Sequence, residues 1–242
     1  MRGDSMDITA DSELFAKIKQ AYNGAPIAHD GIVCPKQYEN IVFLLKEVNK
    51  PNMAKNWPYY KVLYFQANPE EAPINLRKDF YRSTFTNICL WIEAFFNPTC
   101  SYEDCFLADK TDYDIERLRK NLNKTAIVNI KKTAGGGSSK YEELIAVCHD
   151  PKKSELLKTQ LKHTEPALVI CGGTFELAKI IFNIQDTNIH FLPSGAKYFL
   201  NDNVVFLEFT HPAWFSVPQK ILFAYAQSVF NDVKNIINLR RS

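Results

Sequence analysis

The chain has no apolar run approaching the roughly 18–20 residues of a membrane-crossing helix, and no charged-then-apolar leader opens it. Net charge is only +2 over 242 residues, too little for composition alone to announce a nucleic-acid binder. The six cysteines (Cys34, Cys89, Cys100, Cys105, Cys148 and Cys171) form no CxxC pair and follow no zinc spacing. That pattern excludes a zinc module of the usual kind and gives no reason for a disulfide framework. Reduced thiols are expected, with Cys89 and Cys171 acting as small hydrophobes inside apolar runs. A GxxxxGK[ST] phosphate loop is missing, as are internal repeats and low-complexity tracts. Nothing calls for a metal or a cofactor. The expectation is a soluble cytoplasmic protein.

Hydrophobic residues make up 46% and charged residues 23%, proportions of an ordinary globular protein. The length suits one large domain. The opening Met1-Arg2-Gly3-Asp4-Ser5-Met6, with its second methionine, reads as an appended or disordered N-terminus, which leaves 7–242 as a single domain.

Four short apolar runs read as buried strands: Asn40–Leu45, Thr125–Ile130, Ala167–Cys171 and Val204–Phe209. The first three are nearly continuous in hydrophobicity, which suits parallel strands covered on both faces. Helical spacing joins Phe80, Thr84, Ile88, Trp91, Ile92 and Phe95, and again Leu222, Tyr225, Val229, Val233 and Ile236. Shorter helices are expected at Phe175–Phe182 and around Leu14, Phe15 and Ile18. The stretch between the first two strands, about 80 residues, is too long for loop alone. Strand alternating with helix predicts an α/β fold, a three-layer α/β/α sandwich around a central four-stranded parallel sheet.

Such sheets bind ligands at the carboxyl ends of their strands. There the sequence offers Lys46-Glu47-Val48-Asn49, then Asn129 to Ser139, then Gly172-Gly173-Thr174, then Thr210-His211-Pro212. Glu47 follows an apolar run and can position or activate a water. Asn129 lies inside an apolar strand, where its amide demands a partner; an amide complements the edge of a pyrimidine. Gly135, Gly136, Gly137 and Ser138 can expose successive N–H groups to an anion. His211, held extended by Pro212, can donate to an oxygen that gains negative charge. From Arg117 to Lys140 the chain carries seven cations and no Asp or Glu, a pattern that suits phosphates or a solvated face.

The order of these pieces resembles the uracil-DNA glycosylase superfamily. The matching stretches are Phe43-Leu44-Leu45-Lys46-Glu47-Val48-Asn49, Ala126-Ile127-Val128-Asn129-Ile130-Lys131-Lys132 and Phe209-Thr210-His211-Pro212-Ala213, with Pro166 to Thr174 as the third strand and its turn. The resemblance implies a monofunctional, monomeric DNA glycosylase that needs no cofactor. Its catalytic candidates are Glu47, His211 and Asn49. Asn129 would read the flipped base, on which Tyr59, Tyr60, Phe80 or Phe85 would stack. DNA contacts would come from Lys131, Lys132, Gly135, Gly136, Gly137, Ser138, Lys140, Gly173 and Thr174, and Trp214 or Phe215 would enter the duplex.

The chain departs from the family pattern in two places. The first motif lacks the Gly-rich, Pro-containing loop and puts Val48 where other branches keep Asp or Asn, and the last reads His-Pro-Ala rather than His-Pro-Ser. The released base is therefore left open between uracil and another altered or bulky modified base, in repair or in defence against phage DNA. A non-catalytic nucleic-acid-binding relative and a nucleoside- or nucleotide-processing enzyme are the alternatives.

Overall fold

The computed structural model describes residues 8–49, 68, 84–109, 112–135, 140–213 and 216–241. Its strands are β1 (Gly31–Ile32), β2 (Ile41–Asn49), β3 (Thr125–Gly135), β4 (Leu168–Gly172), β5 (His190–Phe191), β6 (Lys197–Asn201) and β7 (Val204–Phe209). Its helices are α1 (Ile8–Ala21), α2 (Thr84–Phe96), α3 (Ile115–Arg119), α4 (Tyr141–His149), α5 (Pro151–His163), α6 (Phe175–Phe182) and α7 (Gln219–Arg241). The fold is α/β, and among the described residues its sheet has seven strands in the order β1-β3-β2-β4-β7-β6-β5.

The four strands expected from hydrophobicity are neighbours and parallel: β3 with β2, β2 with β4, and β4 with β7. The sheet as a whole is mixed and larger than the four strands expected. Antiparallel β1 lies beside β3, and β6 and β5 extend the other side. Two-residue strands such as β1 and β5 are too short to show any period, which is why the sequence does not reveal them.

Burial on both faces explains the continuous apolar runs. Alternate side chains of a strand point to opposite faces, and here each set finds a helical layer. Ile41, Phe43, Leu45, Ile127, Ile170 and Leu207 share one core cluster with Ile88, Trp91 and Ile92 of α2 and Val229, Phe230 and Val233 of α7. Val42, Leu44, Ala126, Val128 and Val169 share the other with Leu144 of α4, Leu157 and Leu161 of α5, and Phe175 and Ile181 of α6. Cys89 and Cys171 are fully buried within these clusters, and burial pushes both thiols up. Of the expected α7 stripe, Leu222, Val229 and Val233 are buried and Ile236 packs against the core. Tyr225 is exposed, while Phe223, Ala226 and Phe230 face the core. No helix among the described residues is long and apolar enough to cross a membrane.

Strand ends matter most for the site. The run expected to stop at Leu45 continues to Asn49, and β3 continues to Gly135. Pairing of β2 with β4 ends at Leu44–Cys171, whereas pairing with β3 places Glu47 beside Lys131 and Asn49 beside Gly135. Lys46 and Glu47 thus sit on a two-stranded extension of the sheet, past the end of β4.

Candidate functional site at the carboxyl edge

The β4–α6 turn and the His-Pro segment after β7 are fitted tightly to the end of β2. A Cβ on Gly172 would lie 2.7 Å from Leu45 Cδ2 and 3.1 Å from Pro212 Cδ, so only glycine lets the two approach. Gly173 has φ +66°, a left-handed conformation, and a Cβ there would meet His211 Cβ at 3.2 Å. Its N–H donates to Phe209 O at 2.9 Å. Thr174 Oγ1 donates to Leu44 O at 2.6 Å, fastening the turn to β2. Gly173 and Thr174, expected as DNA contacts, therefore use these groups within the fold.

A second set of bonds holds the His-Pro segment from α2 and α7. Asn87 Nδ2 donates to Pro212 O at 2.6 Å, and Gln219 Nε2 donates to Asn87 Oδ1 at 2.9 Å. Tyr113 OH donates in turn to Gln219 Oε1. Asn87 is buried, so this relay satisfies polar groups that would otherwise be costly inside the protein. Sequence reasoning missed Asn87, although a carboxamide in the apolar stretch Thr86-Asn87-Ile88-Cys89-Leu90 is the kind of signal that could have found it.

His211 itself is half-buried, and its Nδ1 accepts a hydrogen bond from Ala213 N at 3.1 Å. Burial, then the positive charge of Lys46, lowers its pKa to about 4. At neutral pH the imidazole is uncharged, and with Nδ1 accepting, its proton resides on Nε2. The result is a neutral N–H donor at the carboxyl edge.

Glu47 is also inward, with its side chain 4% exposed, and Lys131 Nζ lies 3.0 Å from its Oε2. That contact is an ion pair whose alignment is poor for a hydrogen bond, and Oε2 has no hydrogen-bond donor among the described residues. Lys131 also donates to Glu143 Oε2 at 2.6 Å. Burial opposes its charge, but the hydrogen bond to Glu143 and the adjacent Glu47 carboxylate outweigh it and raise the pKa. Lys131 is thus shared by two carboxylates.

Asn129 and Lys132 belong to a buried network centred on Asp30, which sequence reasoning did not anticipate. Asp30 Oδ2 accepts from Asn129 N at 2.7 Å and from Asn129 Nδ2 at 2.9 Å. Its Oδ1 accepts from Lys132 Nζ at 2.7 Å and Gln160 Nε2 at 2.8 Å. Lys132 is 2% exposed and Asn129 2%. The Lys132 ammonium has no surface to offer a phosphate, and one donor of the Asn129 amide is already engaged. Phe85 likewise packs in the core beneath the sheet, so it is not an open stacking platform.

The other expected site residues divide simply. Lys140 is exposed, with Nζ 3.8 Å from Glu143 Oε1. Gly135 ends β3, and Asn49 ends β2. Tyr59, Tyr60, Phe80, Gly136, Gly137, Ser138, Trp214 and Phe215 lie outside the described residues.

The basic run does not form one patch. Arg117 pairs with Glu93 at 3.2 Å, and Lys124 Nζ donates to Asn121 and sits over the Phe96 ring. Glu93, Arg117, Asn121 and Lys124 line a cavity of about 1020 Å³ near the amino end of β3, away from His211. The chain matches no protein-family model, and no curated protein is significantly similar to it.

Proposed function

We propose that the protein is a DNA glycosylase with the three-layer architecture of the uracil-DNA glycosylase superfamily, hydrolysing the N-glycosidic bond of an altered base turned out of DNA. The observation that carries this reading is His211, a neutral imidazole with Nδ1 occupied and Nε2–H as its donor. It shares the carboxyl edge of parallel strands with the inward carboxylate of Glu47.

In the reaction the C1′–N bond breaks and its electron pair leaves with the base. Negative charge spreads to a ring carbonyl oxygen while positive charge builds on the sugar. The His211 Nε2–H meets that oxygen, an effect worth about 3–4 kcal/mol for a preorganised donor. Water adds to C1′, its proton passes toward the Glu47 carboxylate, and the base anion takes a proton from solvent. Turning the nucleotide out of the stack costs a few kcal/mol, which contacts in the pocket offset. Phosphate contact falls to exposed Lys140 and to the backbone N–H groups of Gly136 and Gly137.

The test is base release at enzyme excess from duplex and single-stranded oligonucleotides, each with one altered base. Release that His211→Ala slows far more than it weakens DNA binding is the expected result, as befits a transition-state contact. No release from any substrate, with salt-sensitive DNA binding intact, would replace this reading by that of a non-catalytic relative.

A further inference from the structure

Lys46 and Glu47 are consecutive on β2, yet of the two only Glu47 has an ion-pair partner among the described residues. Glu47 is paired with Lys131. Lys46 is half-buried and has neither ion pair nor hydrogen bond among the described residues. Its Cε lies 3.6 Å from the point where a Cβ on Gly173 would stand, and His211 Cβ lies 3.2 Å from that same point. The lysine stem and the base of the His211 side chain therefore flank a narrow space that exists because residue 173 is glycine, and the Lys46 charge is close enough to act on the imidazole. No carboxylate among the described residues answers this cation, and a partly desolvated charge without a counterion is unfavourable in a resting fold. A cation placed beside a neutral N–H donor attracts an anion.

We propose that Lys46 is a second catalytic group, its ammonium joining the Nε2–H of His211 in receiving the anionic oxygen of the departing base. The proposal rests on the glycosylase reading. Lys46 forms no covalent bond and keeps its proton; it holds the charge released when the C1′–N electron pair leaves with the base. A full positive charge attracts that oxygen far more once it is negative than while it belongs to a neutral base, so the gain falls on the transition state. Glu47, screened by Lys131, does not cancel it. A DNA phosphate oxygen is the other source of the same anionic chemistry.

Two substitutions separate these sources. Lys46→Met keeps an apolar stem and removes the charge, and Lys46→Arg restores a cation. Single-turnover release is measured at saturating enzyme from oligonucleotides carrying one uracil or one 5-fluorouracil, whose more acidic base needs less help to leave. Lys46→Met should slow uracil release by about 10²–10³-fold and 5-fluorouracil release much less, with partial recovery in Lys46→Arg. DNA affinity should stay within about twofold, as expected of a group acting in the transition state. Equal slowing for both bases, or weaker binding with a salt slope reduced by about one, would place Lys46 on a phosphate and overturn the proposal.

His211 titration followed by NMR supplies a readout that needs no turnover. Its pKa should rise in Lys46→Met and stay near the wild-type value in Lys46→Arg. An unchanged titration in Lys46→Met overturns the juxtaposition itself. Wild-type protein that releases neither base, nor any other altered base of the oligonucleotide panel, overturns this use of Lys46 together with the glycosylase reading; a His211 shift then assigns the failure to the reading rather than to the geometry.

Discussion

Replacing Asp30 by Asn should be among the most damaging conservative changes in the protein. The Asp30 side chain is fully buried and receives four donors: the Lys132 ammonium, the Gln160 amide, and both the backbone and side-chain N–H of Asn129. Asparagine preserves the shape but removes the charge and turns one acceptor oxygen into an NH₂. Whichever way it is oriented, that NH₂ faces donors, and the Lys132 ammonium, 3% exposed in its side chain, loses its counterion. Breaking a buried pair by deleting one partner costs about 3–5 kcal/mol, a large share of the 5–15 kcal/mol that roughly spans the stability of domains. Lys132→Met should cost less, because the Asp30 carboxylate keeps three of its four donors.

The pH dependence gives a sharper check. Burial lowers the Lys132 pKa, and Asp30 works against that shift. In Asp30→Asn only the lowering influence remains, so the folded state holds Lys132 neutral more readily than the unfolded state, whose lysine pKa is about 10.4. The unfolded chain then binds more protons, and stability rises with pH, by up to about 1.4 kcal/mol per unit. Urea unfolding at pH 7 and pH 9 measures both effects. A deficit at pH 7 under about 1 kcal/mol, or one that does not narrow at pH 9, would refute the view that Asp30 is the counterion of a buried charge.

Gly172→Ala puts a methyl 2.7 Å from Leu45 Cδ2 and 3.1 Å from Pro212 Cδ; a loss of about 1–3 kcal/mol is expected from such overpacking, read by thermal unfolding, with His211 NMR shifts reporting the displaced turn. Asn87→Ala leaves Pro212 O and Gln219 without their partner, and should cost about 1–3 kcal/mol in denaturant titration while broadening the His211 signals. Because the His211 pKa falls from 6.5 to about 4 on folding, the unfolded chain binds the extra proton between these values. Stability should therefore decline as pH drops from 6.5 toward 4, and His211→Gln should flatten that part of the profile.

Hydrophobic pattern made the middle of the sheet legible because β2, β3, β4 and β7 are covered on both faces and show it as unbroken apolar runs. It placed the end of β2 too early. Lys46 and Glu47 read as loop by polarity, yet pairing with β3 holds Glu47 as strand beside Lys131. The demand of Asn129 for a partner could be read locally; the partner, Asp30, lies 99 residues away and nothing local names it. A separation of 102 residues likewise hides the fate of Lys132, which looks like a surface cation beside a run of glycines and is one member of a buried pair. The relation of His211 to Lys46 is similarly invisible in sequence, because it depends on the Gly172-Gly173 turn bringing two separate strand ends together.

The extension of β2 and β3 beyond β4 has a mechanical consequence. Glu47 stands on a cantilever of two strands whose root is clamped between helical layers and whose tip loses the support of β4. His211, in contrast, is tethered near the root by the turn and by Asn87. Bending or twisting of the ribbon would therefore move the carboxylate relative to the imidazole; the Lys131 bridge from Glu47 to Glu143 of α4, with the Ala28 N–H to Lys132 O bond and the Lys132–Asp30 pair on β3, acts as a stay against that bending. Stiffness of the ribbon, more than the position of either residue alone, sets how constant their separation remains.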